Sequence, residues 1–215
     1  METTTYLQRR ANEGDIDALF RLGYRLAFGR NRPRPTDWPA VLALWQQAAA
    51  TGHPRALFYV GTCYETGRGT LQDLSTALAW YERAAEKGHT AAMYNVALSY
   101  RKGDGVPRNE KRMLYWLTRA ASLGDAPAQR DLGYCYHEGI GVPTDYGVAI
   151  HWYRKAARQG DRKAQYNLGL SYLTGEGVSL STTRARRWLT LASDQGHRQA
   201  RAHLKQLPPT RSNPR

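Results

Sequence analysis

Apolar and small residues fall along this chain at helical spacing, and the whole arrangement recurs. Six glycines mark the period: Gly14, Gly52, Gly88, Gly124, Gly160 and Gly196, separated by 38 and then four times by 36 residues. Four residues after each stands alanine (Ala18, Ala56, Ala92, Ala128, Ala164, Ala200). Eight after stands Leu or Val (Leu22, Val60, Val96, Leu132, Leu168, Leu204). Nine after come Gly23, Gly61, Ala97, Gly133 and Gly169, with Lys205 in the last copy; twelve after come Leu26, Tyr64, Tyr100, Tyr136 and Tyr172. At 100° per residue, positions 4, 8 and 12 share one face of a helix, and the small residue at position 9 leaves room for a second helix to approach. Self-similarity at this period predicts stacked helical hairpins.

The end of each first helix is marked by paired glycines, Gly67 and Gly69, Gly103 and Gly105, Gly139 and Gly141, Gly175 and Gly177. Glycine suits the left-handed backbone just past a helix end. Asp73, Asn109, Asp145 and Ser181 follow in one phase, all of them residue types that cap a helix start by accepting from backbone N–H groups. Asp37 takes that place in the first repeat, after a longer Arg32-Pro33-Arg34-Pro35 loop. The second helix carries Trp80, Trp116, Trp152 and Trp188, with Leu44 as the odd member, and then Ala84-Ala85, Ala120-Ala121 and Ala156-Ala157. That spacing predicts each Trp as a packing knob beside a hole of small residues. The expectation is an all-α chain of five helix-turn-helix units over about 12–195 and a capping helix over about 197–207, in which Lys205, His203 and Gln206 supply a polar outer face. Residues 1–11 read as a lead-in, 12–207 as a single repeat domain and 208–215 as a disordered tail. No segment reads as a strand.

These residues resemble the Sel-one-like repeat (SLR) family, relatives of the tetratricopeptide repeats. The likeness rests on Leu-Gly-x-x-x-Tyr, Gly-x-Gly-Val-Pro, the Asp or Asn cap, Trp-Tyr and Ala-Ala-x-x-Gly, best kept at 132–160. The first repeat departs most, with Asn31 for the second turn glycine and Leu44-Trp45 for Trp-Tyr. The resemblance implies a right-handed α-solenoid and a part in assembling protein complexes; it implies no reaction. In the tetratricopeptide relatives, the helix face opposite positions 4, 8 and 12 lines a concave groove. Carried over, that face gives Phe20, Phe58, Tyr94, Arg130 and Tyr166 at position 6. Position 7 gives Arg21, Tyr59, Asn95, Asp131 and Asn167, and position 10 gives Tyr24 and Tyr134. Arg101 and His137 stand at position 13, with Glu65, Lys102 and Glu138 beside that edge. Aromatic side chains and Arg anchor protein interfaces, so these are the candidate partner-binding residues. Position 6 also has a plainer reading, contact between adjacent repeats; Tyr24 and Tyr134 are the sharper candidates.

Lys and Arg outnumber Asp and Glu by 31 to 18, a net charge of +13. The excess favours acidic partners. It concentrates in 88–123 and 160–215, which reads either as a solvated outer face with a basic tail or as a docking surface. A nucleic-acid role through the basic C-terminal end is a distant alternative, since no reader motif accompanies the charge. Catalytic constellations are missing from the sequence. His53, His89 and His197 each follow a marker glycine, which points to a helix-start role, and no His or Cys cluster has metal-ligand spacing. No cofactor is therefore expected. Cys63 and Cys135 lie two repeats apart in one phase, about 20 Å at about 10 Å per helix layer, too far for a disulfide. Secreted members of the resembled family carry paired cysteines, which this chain lacks. With no apolar run of signal-peptide or membrane-span length, a cytoplasmic location is expected. The expected function is a non-catalytic, monomeric scaffold or adaptor holding one protein partner in its groove. A bacterial immunity or inhibitor protein that neutralises a toxin or enzyme is the alternative.

Overall fold

The computed structural model describes residues 3–30 and 35–208. Asn31 and most of the Arg-Pro loop lie outside the described residues, as do 209–215 of the expected tail. Among the described residues all regular structure is helical, in twelve elements. They form two compact units, residues 1–116 and 117–215. The first holds α1 (Thr4–Asn12), α2 (Ile16–Phe28), α3 (Trp38–Ala50), α4 (Pro54–Thr66), α5 (Leu74–Glu86) and α6 (Thr90–Lys102). Helix α7 (Glu110–Ser122) carries the chain into the second, which holds α8 (Ala126–Glu138), α9 (Tyr146–Arg158), α10 (Arg162–Thr174), α11 (Thr182–Asp194) and α12 (Arg198–Gln206). The hairpins α2–α3, α4–α5, α6–α7, α8–α9 and α10–α11 are the five expected units, and α12 is the expected final helix.

Helix α1 was not foreseen; the sequence reads 1–11 only as a lead-in. It turns Leu7 and Ala11 inward and leaves Gln8, Arg9 and Asn12 exposed. Arg25 Nε donates to Thr4 Oγ1 (2.9 Å), and Arg10 reaches Asp15 (2.8 Å), so polar bonds also tie α1 to the first repeat. A nine-residue helix with two buried residues carries too little periodicity to announce itself.

Capping follows one rule at two phases. At the second helices, Asp37, Asp73, Asn109, Asp145 and Ser181 all accept a backbone N–H, as expected. Ser75 and Thr76 also donate their hydroxyls to Asp73, and these bonds, Thr76's first, hold its carboxyl down to about 2. At the first helices the residue after each marker glycine does the same work: Asp15, Asp125 and Asp161 through a carboxylate, and His53, His89 and His197 through Nδ1. The marker glycines adopt positive φ throughout, from 81° to 95°.

The knob and its hole differ from expectation. Trp116 is buried as expected, but Trp80, Trp152 and Trp188 are only half-buried, and cationic side chains cover Trp80 (Arg83, 4.2 Å) and Trp152 (Lys155, 4.6 Å). The buried knob is the next residue, Tyr81 or Tyr153, with Trp45 and Leu189 in the same role. The hole is the position 9 glycine. A Cβ on Gly61 or Gly133 would lie 2.7 or 2.8 Å from the tyrosine ring, and one on Gly23 would lie 2.6 Å from Trp45. Two atoms cannot share that space, so helix and knob touch only because the hydrogen is there.

In the second unit a glutamine ladder joins successive hairpins. Gln159 Nε2 donates to Gly124 O (3.0 Å) and Gln129 Oε1 (2.8 Å), and Gln195 repeats the pair on Gly160 and Gln165. Gln129 and Gln165, both buried, donate onward to Ala121 and Ala157 carbonyls. Each buried amide is thereby satisfied, which is the condition for tolerating it inside.

Two stability outcomes follow. Gly133→Ala gains helix propensity but forces the Tyr153 ring aside, and should cost about 1–3 kcal/mol net; Gly160→Ala, with open space but φ of 92°, should cost about 1–2 kcal/mol through strain alone. Urea unfolding with near-ultraviolet circular dichroism separates them, because only the first should alter the tyrosine signal. The second outcome concerns pH. Burial, with Arg55 adding to it, pushes the His89 imidazole below its ordinary value, and burial does the same to His197 beside Arg162 and Lys163. The folded state thus favours the neutral caps. Their contribution is complete above the unfolded histidine's value of about 6.5 and is lost as pH falls through it toward the depressed folded-state value. Unfolding free energy should drop between pH 7.5 and 5, and His89→Asp should shrink that drop; an unchanged pH profile in the variant would count against the capping account.

Candidate functional site

The candidate face was built from positions 6, 7, 10 and 13 of the first helices. Position 6 proves to be occupied with its own neighbours. Phe20 is 1% exposed. It stacks on His53 (centroids 5.0 Å, planes 22° apart), and Arg55 lies 4.5 Å over its ring. Phe58 stacks on His89 (4.6 Å, 18°) and Tyr166 on His197 (4.3 Å, 21°). Arg130 instead donates to Asp161 (2.9 Å) and to Asp131 (2.7 Å). Each of these four side chains reaches the N-cap of the following repeat, the aromatics a histidine and the arginine an aspartate. Tyr94 is half-buried.

Position 7 is divided. Asn95 and Asn167 are half-buried, and the Tyr81 hydroxyl beside this face donates to Glu65 (2.7 Å) and Thr62 (3.3 Å). Asp131 is held by Arg130. Arg21 pairs with Asp17 at 3.0 Å on an exposed helix surface. Tyr59 packs among Trp45, Phe58 and Tyr24, and burial pushes its hydroxyl above the ordinary tyrosine value. Arg101 is exposed.

Two surfaces are left with accessible aromatic side chains. In the first unit Tyr24 (40% exposed) meets Phe28 (41%) edge-on at 5.1 Å, and both meet Tyr59. Phe28 runs on to Trp38 (6.0 Å), over which Arg68 lies at 4.7 Å. Phe28 and Trp38 were not among the expected site residues. Phe28 stands at position 14, where the other repeats carry the polar Thr66, Lys102, Glu138 and Thr174 and so give no sign of an aromatic patch, and Trp38 breaks the repeat pattern.

In the second unit a pocket of about 210 Å³ opens between α8, α9 and α10, lined by Tyr134, His137, Glu138, Tyr153, Asn167, Leu170, Ser171, Thr174 and Glu176. Three expected residues, Tyr134, His137 and Asn167, meet here. His137 lies between two carboxylates, with Nδ1 2.9 Å from Glu138 and Nε2 3.2 Å from Glu176. The unforeseen member is Glu176, which sits between the turn glycines and reads in sequence as loop. Both cysteines are buried and unbridged, as expected, and burial pushes the Cys63 thiol up to about 11, which leaves it unreactive. Among the described residues there is no group of three or more His, Cys, Asp or Glu side chains placed to hold a metal ion. No helix among them is long and apolar enough to cross a membrane.

Paired antiparallel helices, capped at a fixed phase and joined repeat to repeat, define an all-α repeat scaffold of the solenoid class, a fold typical of protein–protein interaction. The chain belongs to the Sel1 repeat family: five Sel1 repeats match residues 16–53, 54–89, 90–125, 126–161 and 162–197. It is similar to a Sel1 repeat protein of known structure from Oxalobacter formigenes, with 36% identity and a TM-score of 0.88 over 95% of this chain and 59% of that one. It is also similar to immunity protein PA5088 from Pseudomonas aeruginosa, at 26% identity and a TM-score of 0.55 over 92% of this chain and 72% of that one. A curated relative, DAP3-binding cell death enhancer 1 of Rattus norvegicus, is 40% identical over 65 residues, 29% of this chain. The chain spans 59% of the Oxalobacter protein and 13% of the rat protein.

The contrast between position 6 and exposed ion pairs is measurable. Arg130 and its two aspartates are 12–16% exposed, whereas Arg21 and Asp17 are 50–58% exposed. Arg130→Ala, which strands two enclosed carboxylates, should cost about 3 kcal/mol or more. Arg21→Ala should cost about 0.5 kcal/mol or less. Equal midpoints of chemical unfolding for the two variants would contradict the assignment of position 6 to repeat stacking.

Proposed function

We propose that the protein is a non-catalytic scaffold that holds a protein partner against exposed aromatic side chains of its first helices, a patch in the first unit and Tyr134 in the second. The observation that carries this reading is that Tyr24, Phe28 and Tyr134 remain 40%, 41% and 46% exposed after the stacking contacts are filled. Large aromatic side chains left open on a rigid helical frame are the usual anchors of an interface, since they bury much area at little entropic cost. Tyr59 and Arg68 complete the first patch, and Asn167 and His137 border Tyr134. Of the residues expected at the interface, Phe20 and Arg130 serve the frame that presents the others. The two unbridged thiols support a reducing, cytoplasmic setting.

A second reading is favoured by the likeness to PA5088: the partner is a toxin or an enzyme, and the protein neutralises it. Both readings use the same residues and differ in what the partner does when bound.

The experiment is affinity capture from the native host with mass-spectrometric identification of the partner. Tyr24→Ala combined with Phe28→Ala and Tyr134→Ala should lose at least about tenfold in affinity, the effect of hot-spot truncation, while far-ultraviolet circular dichroism stays unchanged. Full partner retention by a folded triple variant would refute the reading. Inhibition of the identified partner's activity by the wild-type protein would select the neutralising role.

A further inference from the structure

The pocket of the second unit has a chemistry opposite to the charge of the chain. The chain carries +13, yet the ionisable side chains lining this cavity are Glu138, Glu176, His137 and two tyrosines. The geometry points to a receptor for one arginine side chain, presented by the bound partner; this rests on the scaffold reading above and specifies one contact within it.

Size comes first. A cavity of about 210 Å³ falls short of the roughly 300–1,000 Å³ typical of sites for whole small molecules. It suits a single long side chain. Polarity comes next. Thr174 Oγ1 donates to Glu176 Oε2 at 3.0 Å, the same oxygen that faces His137 Nε2, and Glu138 uses Oε1 toward His137 Nδ1. Among the described residues no hydrogen bond engages Glu138 Oε2 or Glu176 Oε1. Two carboxylates held apart by one imidazole therefore keep an acceptor each. An anionic ligand would meet both charges, and a purely apolar one would desolvate them.

Shape then separates arginine from lysine. Leu170 supplies an apolar wall for methylenes, and the Tyr134 ring, 46% exposed, offers a face at the rim. A planar guanidinium donates in several directions at once and stacks on an aromatic ring, whereas an ammonium is a compact, strongly hydrated point charge. Carboxylates on two sides of the cavity match the first better than the second. Net positive charge draws acidic partners to the molecule as a whole, and this pocket asks for a positive residue at one place on them.

The test needs no partner. The full chain, labelled with nitrogen-15, is titrated at pH 7 with acetyl-Gly-Arg-Gly-amide, with the lysine peptide, and with the uncharged citrulline peptide. Expected are shifts of the Tyr134, His137 and Thr174 amides, a dissociation constant on the order of millimolar for arginine, and about tenfold weaker binding of citrulline, the loss of charge-assisted hydrogen bonds. Glu138→Gln and Glu176→Gln, each nearly isosteric and at a partly exposed position, should each weaken the arginine peptide and leave citrulline unaffected. Equal binding of arginine and citrulline, shifts elsewhere only, or retention of arginine binding in both variants would overturn the assignment. Any of those results leaves the affinity-capture experiment standing, and failure of that capture leaves the peptide titration standing.

Discussion

Everything in this molecule depends on how closely two helices can approach at one glycine. Gly61 and Gly133 let the Tyr81 and Tyr153 rings sit where a methyl group would otherwise be. Contact at that range turns a pair of amphipathic helices into a rigid hairpin, and the buried tyrosine then has to satisfy its hydroxyl. Tyr81 does so within its own hairpin, donating to Glu65 (2.7 Å) and Thr62 (3.3 Å) of α4. Polar groups tie neighbouring hairpins as well: buried Gln129 donates to the Ala121 carbonyl of the preceding hairpin, and Gln165 to that of Ala157. A single hairpin cannot complete its own core, which is why the structure exists only as an array.

A second link runs along the N-caps. In four repeats the residue at position 6 touches the cap of the next: Phe20 with His53, Phe58 with His89, Tyr166 with His197, Arg130 with Asp161; in sequence the fifth pair, Tyr94 and Asp125, sets an aromatic residue against a carboxylate cap. A neutral imidazole stacks on an aromatic ring and still accepts a backbone N–H at Nδ1. The Asp161 carboxylate accepts the same bond and has the Arg130 cation beside it. At these four caps the position 6 side chain matches the chemistry of the cap it meets. The matching also consumes side chains that, by helical phase alone, look like the most promising interface residues.

What remains outside these links is small and specific. Tyr24 and Tyr134 at position 10 and Phe28 at position 14 of their first helices stay accessible on one side, and Phe28 turns its other side to the Trp45 knob (6.3 Å). Glu138, His137 and Glu176 gather at the C-terminal ends of α8 and α10, where the paired glycines bend the chain sharply enough to bring a turn residue back beside a helix. The frame is built from what repeats, and the surfaces are built from what does not.

The sequence by itself determined the helices of the five repeats and the final helix, the caps of the second helices and the period, but not α1. These are local or periodic properties: a glycine at positive φ, an acceptor at a helix start and an apolar stripe each show in a few neighbouring letters, and repetition averages out the exceptions. It also placed Tyr24, Tyr134 and His137 on the side of their own helices opposite positions 4, 8 and 12, where Tyr24 and Tyr134 are exposed. Only the tertiary structure decided that Tyr153 and not Trp152 is the knob, because adjacent residues on a helix differ by 100° and composition does not say which direction faces the glycine. Only the tertiary structure showed that Phe20 and Arg130 belong to the stack, and that Glu176 joins His137 across 39 residues. Those are contacts between repeats, set by how one hairpin seats on the next, and no pattern within a single repeat encodes them.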